Sequence, residues 1–487
     1  MLELLKKEAN KTKTLNGGQT YSTSLSHCLD LFFRAGAMRN ASTGEIKDLV
    51  QCAFAEDPTR TMKILFFVRD VRGGLGERRF FRVALQILAK EEPDAVMRNL
   101  LYIPEYGRFD DLCSLLHTPC EDAVISLIGE LLNSDRRAMD EGGQVSLLAK
   151  WLPSVNASAE ATRRDGRYLA KRLGMSERDY RKCLSALRCY LDILENHLRT
   201  EDYSFRYDVQ PSAALFKYRK AFIRNDGERY QGYLDAVERG DAAMHTATLY
   251  PYEIVRRCFD NPNTEERHSL DLTWRNLPVY GDNQENAIAV IDCSGSMTYA
   301  APGNVRPIDV ALSLGIYFAE HNKGEFSNCF ITFSENPRFV EIYGRDITAK
   351  IRYCQRYSEV ANTDLEAVFK LILKTAVKEK IPQSEMPSKL FIISDMEFDE
   401  CIEGGNSQPL YDTMCSMYED AGYQLPQVVF WNVDSKQSNF PVQIGTNGTA
   451  LVSGFSPSLF DNVMGGELEP MLIMERTIFC DRYADIS

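Results

Sequence analysis

The spacing of apolar residues along the chain changes character near residue 285. Before that point, apolar side chains recur every three or four residues, the spacing of helices with one buried face. Clear examples are residues 81–88, 124–131 and 184–198, and glycines or prolines separate such runs. Strand alternation is scarce in this part. The pattern predicts helices of about 10–20 residues joined by short turns.

Helices of this kind in succession are typical of a solenoid built from helical pairs, of the HEAT type. Residues 260–284 contain turn-forming stretches at both ends and are interpreted as a connector. The sequence therefore predicts a helical repeat domain with connector over residues 1–284.

After residue 285 the pattern becomes that of buried strands. Continuous apolar, β-branched runs occur at 287–291, 329–333, 390–393 and 428–431, with helical patterns after the first two. Strands that alternate with helices predict a doubly wound α/β sheet with parallel, fully buried strands. Residues 285–487 are assigned to this second domain.

The charge follows the same division. Residues 1–280 hold 41 lysines and arginines against 40 acidic residues, a net charge of +1, and residues 281–487 hold 15 against 29, a net charge of −14. The 13 cysteines are scattered without zinc-ligand spacing. No apolar stretch has the length of a signal peptide or a membrane span. We expect a soluble, cytoplasmic protein.

The residues that carry chemistry lie where predicted strands end. Asp292, Ser294 and Ser296 follow the first strand, Thr363 precedes a helix, and Asp395 follows another strand. Ligands of a doubly wound sheet bind outside the carboxyl ends of its strands. Carboxylate and hydroxyl oxygens suit Mg²⁺ or another hard divalent cation such as Mn²⁺. The sequence therefore predicts a metal site at this edge.

Other interpretations of single residues stay open. Thr363 and Glu366 also fit a capping box, which does not exclude metal binding. Asp395 also fits a turn at a strand end, and Glu397 and its acidic neighbours 399 and 400 are interpreted as solvated surface. Cys293 is interpreted as a buried strand residue.

The DxSxS…T…D constellation resembles the metal-ion-dependent adhesion site of von Willebrand A domains. The resemblance implies that Ser294, Ser296 and Thr363 supply hydroxyl oxygens, and that Asp292 and Asp395 act mainly through bound water. It also implies that the open coordination position takes an acidic side chain of a protein partner.

Segments of residues 20–260 resemble, in order, the TROVE module of the Ro autoantigen. They resemble more closely a related bacterial and phage family of unknown function that pairs the same two domains. The matching segments are 69–74, 104–112, 149–154, 180–182, 187–188, 211–213 and 249–253. The Ro resemblance implies a helical ring that binds small structured RNAs and single-stranded RNA ends.

Two basic clusters agree with such a function. Residues 60–82 carry a net charge of +5 and residues 163–188 a net charge of +6. Cationic faces bind phosphate through counterion release. The candidate RNA contacts are Arg69, Arg72, Arg78, Arg79, Arg178, Arg181, Lys182 and Arg188. Trp151 is interpreted as a packing residue.

The predicted function is a Ro-like RNA-binding scaffold with a metal-dependent docking domain. The partners would be small or misfolded RNA and a protein that donates an acidic side chain to the metal, with neither DNA nor a membrane expected. The alternative is a purely protein-binding adaptor. We expect no enzymatic activity, because no HExxH, GxSxG or Walker motif is present.

Overall fold

Helices make up most of the first 280 residues, as the apolar spacing predicted. The computed structural model of the chain describes residues 1, 5, 8–281, 285–300, 305–334, 336–357, 364–399 and 410–487. One antiparallel hairpin, β1 (Lys11–Lys13) and β2 (Gln19–Tyr21), precedes the helices. The helices are α1 (His27–Ala35), α2 (Thr43–Glu56), α3 (Pro58–Arg69), α4 (Arg78–Glu91), α5 (Pro93–Arg98), α6 (Ile103–Tyr106), α7 (Glu121–Asp140), α8 (Leu148–Trp151), α9 (Glu160–Arg172), α10 (Glu177–Tyr190), α11 (Leu194–Arg199), α12 (Ser212–Asn225), α13 (Gly227–Arg239), α14 (Pro251–Cys258) and α15 (Thr264–Arg275).

Two details of the helical pattern differ from the sequence prediction. The leucine run 184–198 is not one helix, because α10 ends at Tyr190 and Asp192 takes a positive φ of 47° before α11 begins. The interpretation of residues 260–284 as a connector is also wrong. That stretch contains α15, which packs on α12, α13 and α14 and buries Leu270, Leu272 and Trp274. Closure of the helices into a ring stays a prediction.

The second part is an α/β domain built on six strands: β3 (Ala287–Asp292), β4 (Cys329–Phe333), β5 (Phe339–Glu341), β6 (Lys389–Ser394), β7 (Gln427–Asn432) and β8 (Thr449–Ser453). In the sheet they lie in the order β5-β4-β3-β6-β7-β8. All neighbouring strands are parallel except β4 and β5. The four predicted strands are confirmed, and the two edge strands β5 and β8 are additional. The helices of this part are α16 (Gly295–Thr298), α17 (Pro307–His321), α18 (Ile347–Cys354), α19 (Leu365–Glu379), α20 (Leu410–Asp420), α21 (Leu459–Val463) and α22 (Pro470–Ile478).

One apolar core extends through both parts of the chain. It runs from Cys28 in α1 to Ile486 near the C-terminus and includes the sheet. Helix α1 packs directly on β8, and α22 packs on both α1 and α3. A separate, aromatic-rich core holds α11 to α13 together. Its members are Leu194, Phe205, Tyr207, Leu215, Phe222, Tyr230, Tyr233, Leu234, Val237 and Leu272.

Both ends of the chain cross between the two parts. The N-terminal hairpin lies on the α/β domain, where Tyr21 pairs with Phe440. The C-terminal residues lie on the helical part, where Tyr483 donates a hydrogen bond of 2.9 Å from its hydroxyl to Oδ2 of the buried Asp70. Arg482 forms an ion pair with the same carboxylate. The division at residue 284 therefore describes the order of the chain and not separate packing units.

Among the described residues, no helix is both long and apolar enough to cross a membrane.

Candidate metal centre

The candidate site lies at the carboxyl ends of two adjacent parallel strands. Strand β3 ends at Asp292, and its parallel neighbour β6 ends at Ser394, one residue before Asp395. Both strands are completely buried, and the polar side chains of Asp292 and Ser394 at their ends lie at the rim of the core. The pairing brings Asp292 and Asp395 to one place, as the sequence predicted.

Asp292 is held by hydrogen bonds from both strand ends. Its Oδ1 accepts from the backbone N–H of Ser294 at 2.9 Å, and its Oδ2 accepts from the hydroxyl of Ser394 at 2.6 Å. The residue has no exposed surface. Burial, followed by the nearby charge of Asp395, raises the pKa of Asp292 to about 7. A carboxylate in this position is stabilised by a nearby cation.

Two hydroxyls complete the described part of the site. The Oγ atoms of Ser294 and Ser296 lie 3.0 Å apart. At this distance the two hydroxyls form a hydrogen bond with each other. Cys293, between Asp292 and Ser294, is buried as predicted, but it follows strand β3 and is not part of it.

Asp395 is buried and accepts a hydrogen bond from an ammonium group that the motif did not reveal. Its Oδ2 lies 2.6 Å from Nζ of Lys436, and the same Nζ donates to the backbone carbonyl of Ser296 at 3.1 Å. Lys436 lies in the loop that follows β7, the strand next to β6 in the sheet. The ammonium group of Lys436 therefore lies beside two of the residues that the sequence predicts as cation ligands.

The loop that carries Lys436 is fixed by the helical part. The backbone N–H of Ser435 donates to the carbonyl of Ala37 at 3.1 Å, and Nε of Arg34 donates to the Ser435 hydroxyl at 3.1 Å. Burial raises the pKa of Asp434, in the same loop, to about 6. The position of Lys436 thus depends on contacts with the helices.

The rim of the site differs from the sequence prediction. Glu397 is not solvated: it is 2% exposed, and its carboxylate accepts hydrogen bonds from the N–H of Leu15 at 2.8 Å and from Asn439 at 2.9 Å. Burial raises its pKa. This carboxylate anchors the N-terminal hairpin beside the candidate metal site. Glu400 lies outside the described residues.

Thr363 also lies outside the described residues. The capping box considered for Thr363 is corrected, because helix α19 begins at Leu365 and its N-cap is Asp364, whose carboxylate accepts from the N–H of Ala367 at 2.8 Å. Within the described part of the chain, no cluster of three or more His, Cys, Asp or Glu residues has metal-ligand geometry. The candidate site therefore rests on two carboxylates combined with hydroxyls.

One of the candidate RNA contacts is inaccessible. Arg69 is 1% exposed, and its Nε lies 2.7 Å from Oδ2 of the equally buried Asp111. Its prediction as an RNA contact is corrected, because a buried carboxylate requires this counter-charge. Arg188 is half-buried and donates all its hydrogen bonds to residues 149–154. It holds a loop in place.

The other candidate contacts are exposed. Arg72 donates to the carbonyl of Glu105 at 3.0 Å, and Arg79 donates to the carbonyl of Arg39 at 3.2 Å. Arg78 lies 3.9 Å from Asp110 and is half-exposed. In α10, Arg178, Arg181 and Lys182 are exposed, whereas Tyr180, Leu184 and Leu187 are buried. These three cations therefore form a basic surface, which we call the α10 face.

The fold and the site define a class of two-part proteins, in which a helical N-terminal part packs on an α/β domain with an oxygen-donor cluster at its strand ends. A family model described as "Domain of unknown function (DUF2828)" matches residues 14–139 and 121–280. The match covers more than half of the chain, and the protein belongs to this family. A second model, "Domain of unknown function (DUF7788)", matches residues 286–472.

Two individual proteins are similar over nearly the whole chain. The uncharacterized protein L728 of Acanthamoeba polyphaga mimivirus is 28% identical over 507 residues, which span 96% of this chain and 87% of L728. The crystal structure of the Ro (RSR) protein of Deinococcus radiodurans covers 94% of this chain and 99% of its own, with 14% identity and a TM-score of 0.47.

Proposed function

We propose that the protein is a binding scaffold whose α/β domain holds one hard divalent cation, Mg²⁺ or Mn²⁺, and docks a protein partner through it. The observation that carries this proposal is the pair of fully buried carboxylates, Asp292 and Asp395, beside two hydroxyls at one sheet edge. Buried carboxylates are costly unless a positive charge compensates them. A single lysine is the compensating group that the described residues provide.

The roles of the residues follow from the chemistry of their donors. The hydroxyls of Ser294 and Ser296, with Thr363, would contact the cation, and Asp292 and Asp395 would balance its charge directly or through water. Mg²⁺ keeps several of its waters in such sites. A carboxylate of the partner can replace one of those waters, because a bound cation dominates the local field.

We further propose that the helical part binds RNA, in the manner of the Ro proteins that its sequence motifs resemble. The specific support is the α10 face, where Arg178, Arg181 and Lys182 are exposed on the side of the helix opposite its buried leucine. The α/β domain, with a net charge of −14, repels phosphate over about a Debye length, roughly 8 Å at physiological salt. RNA is therefore expected on the helices.

The alternative is an adaptor in which the helices bind protein and no RNA. Sequencing of nucleic acid that co-purifies with the native full-length protein separates the two. Enriched RNA supports the scaffold, and a nucleic-acid-free preparation that also fails to bind RNA at low salt supports the adaptor. Calorimetric titration of the metal-free protein with Mn²⁺ tests the metal site independently, with one cation per chain expected.

A further inference from the structure

A cleft in the helical part lies apart from both the metal site and the α10 face. Its volume is about 920 Å³, and it opens between the α4–α7 region, helix α8 and the start of α12. Both polar and apolar surfaces line it. We call it the Trp151 cleft, and its principal side chains are Arg82, Arg108, Lys150, Trp151, Asp165 and Lys217.

The cleft presents a paired aromatic and cationic surface. The guanidinium of Arg108 lies 4.4 Å from the centre of the Trp151 indole ring, and Nζ of Lys150 lies 5.7 Å from it. Trp151 is only half-buried, whereas the chain's other two tryptophans, Trp274 and Trp431, are 3% and 0% exposed. Trp151 is therefore the tryptophan with the largest exposed fraction in the chain.

The loop that carries Trp151 is fixed from behind. Arg188 donates to the carbonyls of Ala149 at 2.7 Å and Leu152 at 2.8 Å, and to the hydroxyl of Ser154 at 2.7 Å. The hydroxyl of Tyr180 donates to the carbonyl of Pro153 at 3.0 Å. Such preorganisation lowers the entropic cost of binding a ligand to the indole.

The charge of the lining favours an anion. Five cations and three carboxylates face the cleft, a surplus of two positive charges. Arg82 pairs with Asp110 at 2.7 Å, and Lys150 contacts Glu195 at 3.4 Å. Among the described residues, neither Arg108 nor Lys217 forms an ion pair with a carboxylate. Burial, and then the neighbouring charge of Arg78, lowers the pKa of Arg108.

We propose that the Trp151 cleft binds a nucleotide, with its base packed against the Trp151–Arg108 pair and its phosphate attracted by the surplus positive charge. An indole and a guanidinium both stack on any unpaired base, independently of sequence. An acidic peptide without aromatic residues would supply charge but no ring to stack on the indole. The volume lies in the range of small-molecule sites and accommodates a nucleotide.

Two sources share this chemistry: a free nucleotide and a nucleotide in an unpaired RNA strand. The second rests on the RNA binding proposed above, but it involves residues other than the α10 face. Bases in a duplex are already stacked and cannot enter, so the cleft would select unpaired strands.

Fluorescence of the full-length protein tests the proposal, because Trp151 is the tryptophan most accessible to a ligand. Adenosine monophosphate, a short oligoadenylate and a blunt RNA duplex are titrated separately. We expect the oligoadenylate to quench the wild type, and Trp151→Phe to lose that signal. Trp151→Ala should weaken oligoadenylate binding roughly tenfold, the contribution of one stacked base, and leave duplex binding unchanged. If Trp151→Ala does not fold, Lys217→Glu, at an exposed position, replaces it.

The outcomes separate this proposal from the general RNA function. Quenching by the monophosphate without RNA binding supports the cleft with a free nucleotide as its source and rejects the RNA scaffold. If oligoadenylate binds wild type and Trp151→Ala equally and quenches neither, nucleotide binding in the Trp151 cleft is overturned. The proposed RNA-binding scaffold is then still supported. Failure of both nucleotide and oligoadenylate to bind, or equal quenching by polyglutamate, also overturns the cleft proposal.

Discussion

The side-chain nitrogen of Lys436 lies 2.6 Å from Oδ2 of Asp395, inside the group of atoms that we assign to a divalent cation. The same nitrogen donates to the carbonyl of Ser296, one of the proposed ligand residues. Ammonium and metal repel each other at this range. Loading of the proposed site therefore requires that Lys436 withdraw from Asp395.

The first prediction concerns this competition. Lys436→Met should raise Mn²⁺ affinity by roughly tenfold or more, because one positive charge near the cation is worth ~4 kcal/mol at an effective dielectric of about 20 before compensation. The metal-free variant should at the same time be less stable than wild type, since Asp395 loses its counter-charge. Calorimetry gives the affinity and thermal denaturation the stability. The control is Lys378→Met, at a position 81% exposed. Unchanged or weaker Mn²⁺ binding by Lys436→Met would contradict the placement of the cation beside Asp395.

The second prediction concerns the leading carboxylate. Wild type should gain about 3–4 kcal/mol of stability at Mg²⁺ concentrations of 100 to 1,000 times the dissociation constant, and Asp292→Asn should gain none. The variant should fold, because an amide keeps the shape of the side chain and the Ser394 hydroxyl can reverse its hydrogen bond. Asp122→Asn, at an exposed position, should respond like wild type. An equal Mg²⁺ response in Asp292→Asn would reject the site.

The third prediction is a pH dependence. Burial raises the pKa of Asp292 to about 7 in the folded protein, from the 3.8 of a solvent-exposed aspartate, so the folded state binds the proton more tightly than the unfolded state. Its contribution to stability is complete below about pH 4 and is lost as the pH rises through about 7. Urea unfolding of metal-free protein should therefore show a decline over this window that Asp292→Asn lacks. Mg²⁺ stabilisation should grow over the same window, and identical profiles for wild type and variant would contradict the prediction.

The fourth prediction concerns RNA. Simultaneous reversal of Arg178, Arg181 and Lys182 to glutamate should weaken RNA binding for all sequences and reduce the slope of log affinity against log salt by about 2. Filter binding at several salt concentrations measures both effects. Reversal of the exposed Lys374 and Lys378 is the matched control. An unchanged slope in the triple variant would exclude the α10 face as a phosphate-binding surface.

The fifth prediction concerns the C-terminal contact. Asp70→Ala should destabilise the protein by about 3–5 kcal/mol, because it removes the buried carboxylate that Arg482 and Tyr483 contact. Urea unfolding measures the loss, and Asp481→Ala, at an exposed position, is the control. A loss below about 1 kcal/mol would show that Asp70 contributes little to holding the C-terminal residues in place.

Much of the α/β domain was predictable because its strands are buried on both faces. The run 287–291, for example, is apolar throughout and leaves little room for another interpretation. Strand β5 has only three residues and lies at the sheet edge, so it carries no comparable pattern. Helix α15 was missed because its buried Leu270, Leu272 and Trp274 follow a charged first turn between turn-forming sequences.

The proximity of Asp292 and Asp395 was predictable because both residues stand at the ends of neighbouring parallel strands. The contributions of Lys436 and Glu397 were not predictable from the sequence. They depend on the loop after β7 and on the N-terminal hairpin, which only the tertiary structure brings to the edge of the sheet where the candidate metal site lies. Arg69 shows the opposite error. A count of charges along the sequence cannot reveal that Arg69 is buried in an ion pair with Asp111, 42 residues later.

The crossing of the chain ends has a consequence for synthesis on the ribosome. The buried face of helix α3 packs against Tyr483. Lys63 of that helix donates a hydrogen bond to the Tyr483 carbonyl, 420 residues further along the chain. At a translation rate of about 5–20 residues per second, the apolar surface of α3 is synthesised roughly 20–80 s before Tyr483, which covers it. Part of the helical core therefore stays exposed on the nascent chain until the segment around Tyr483 has been translated.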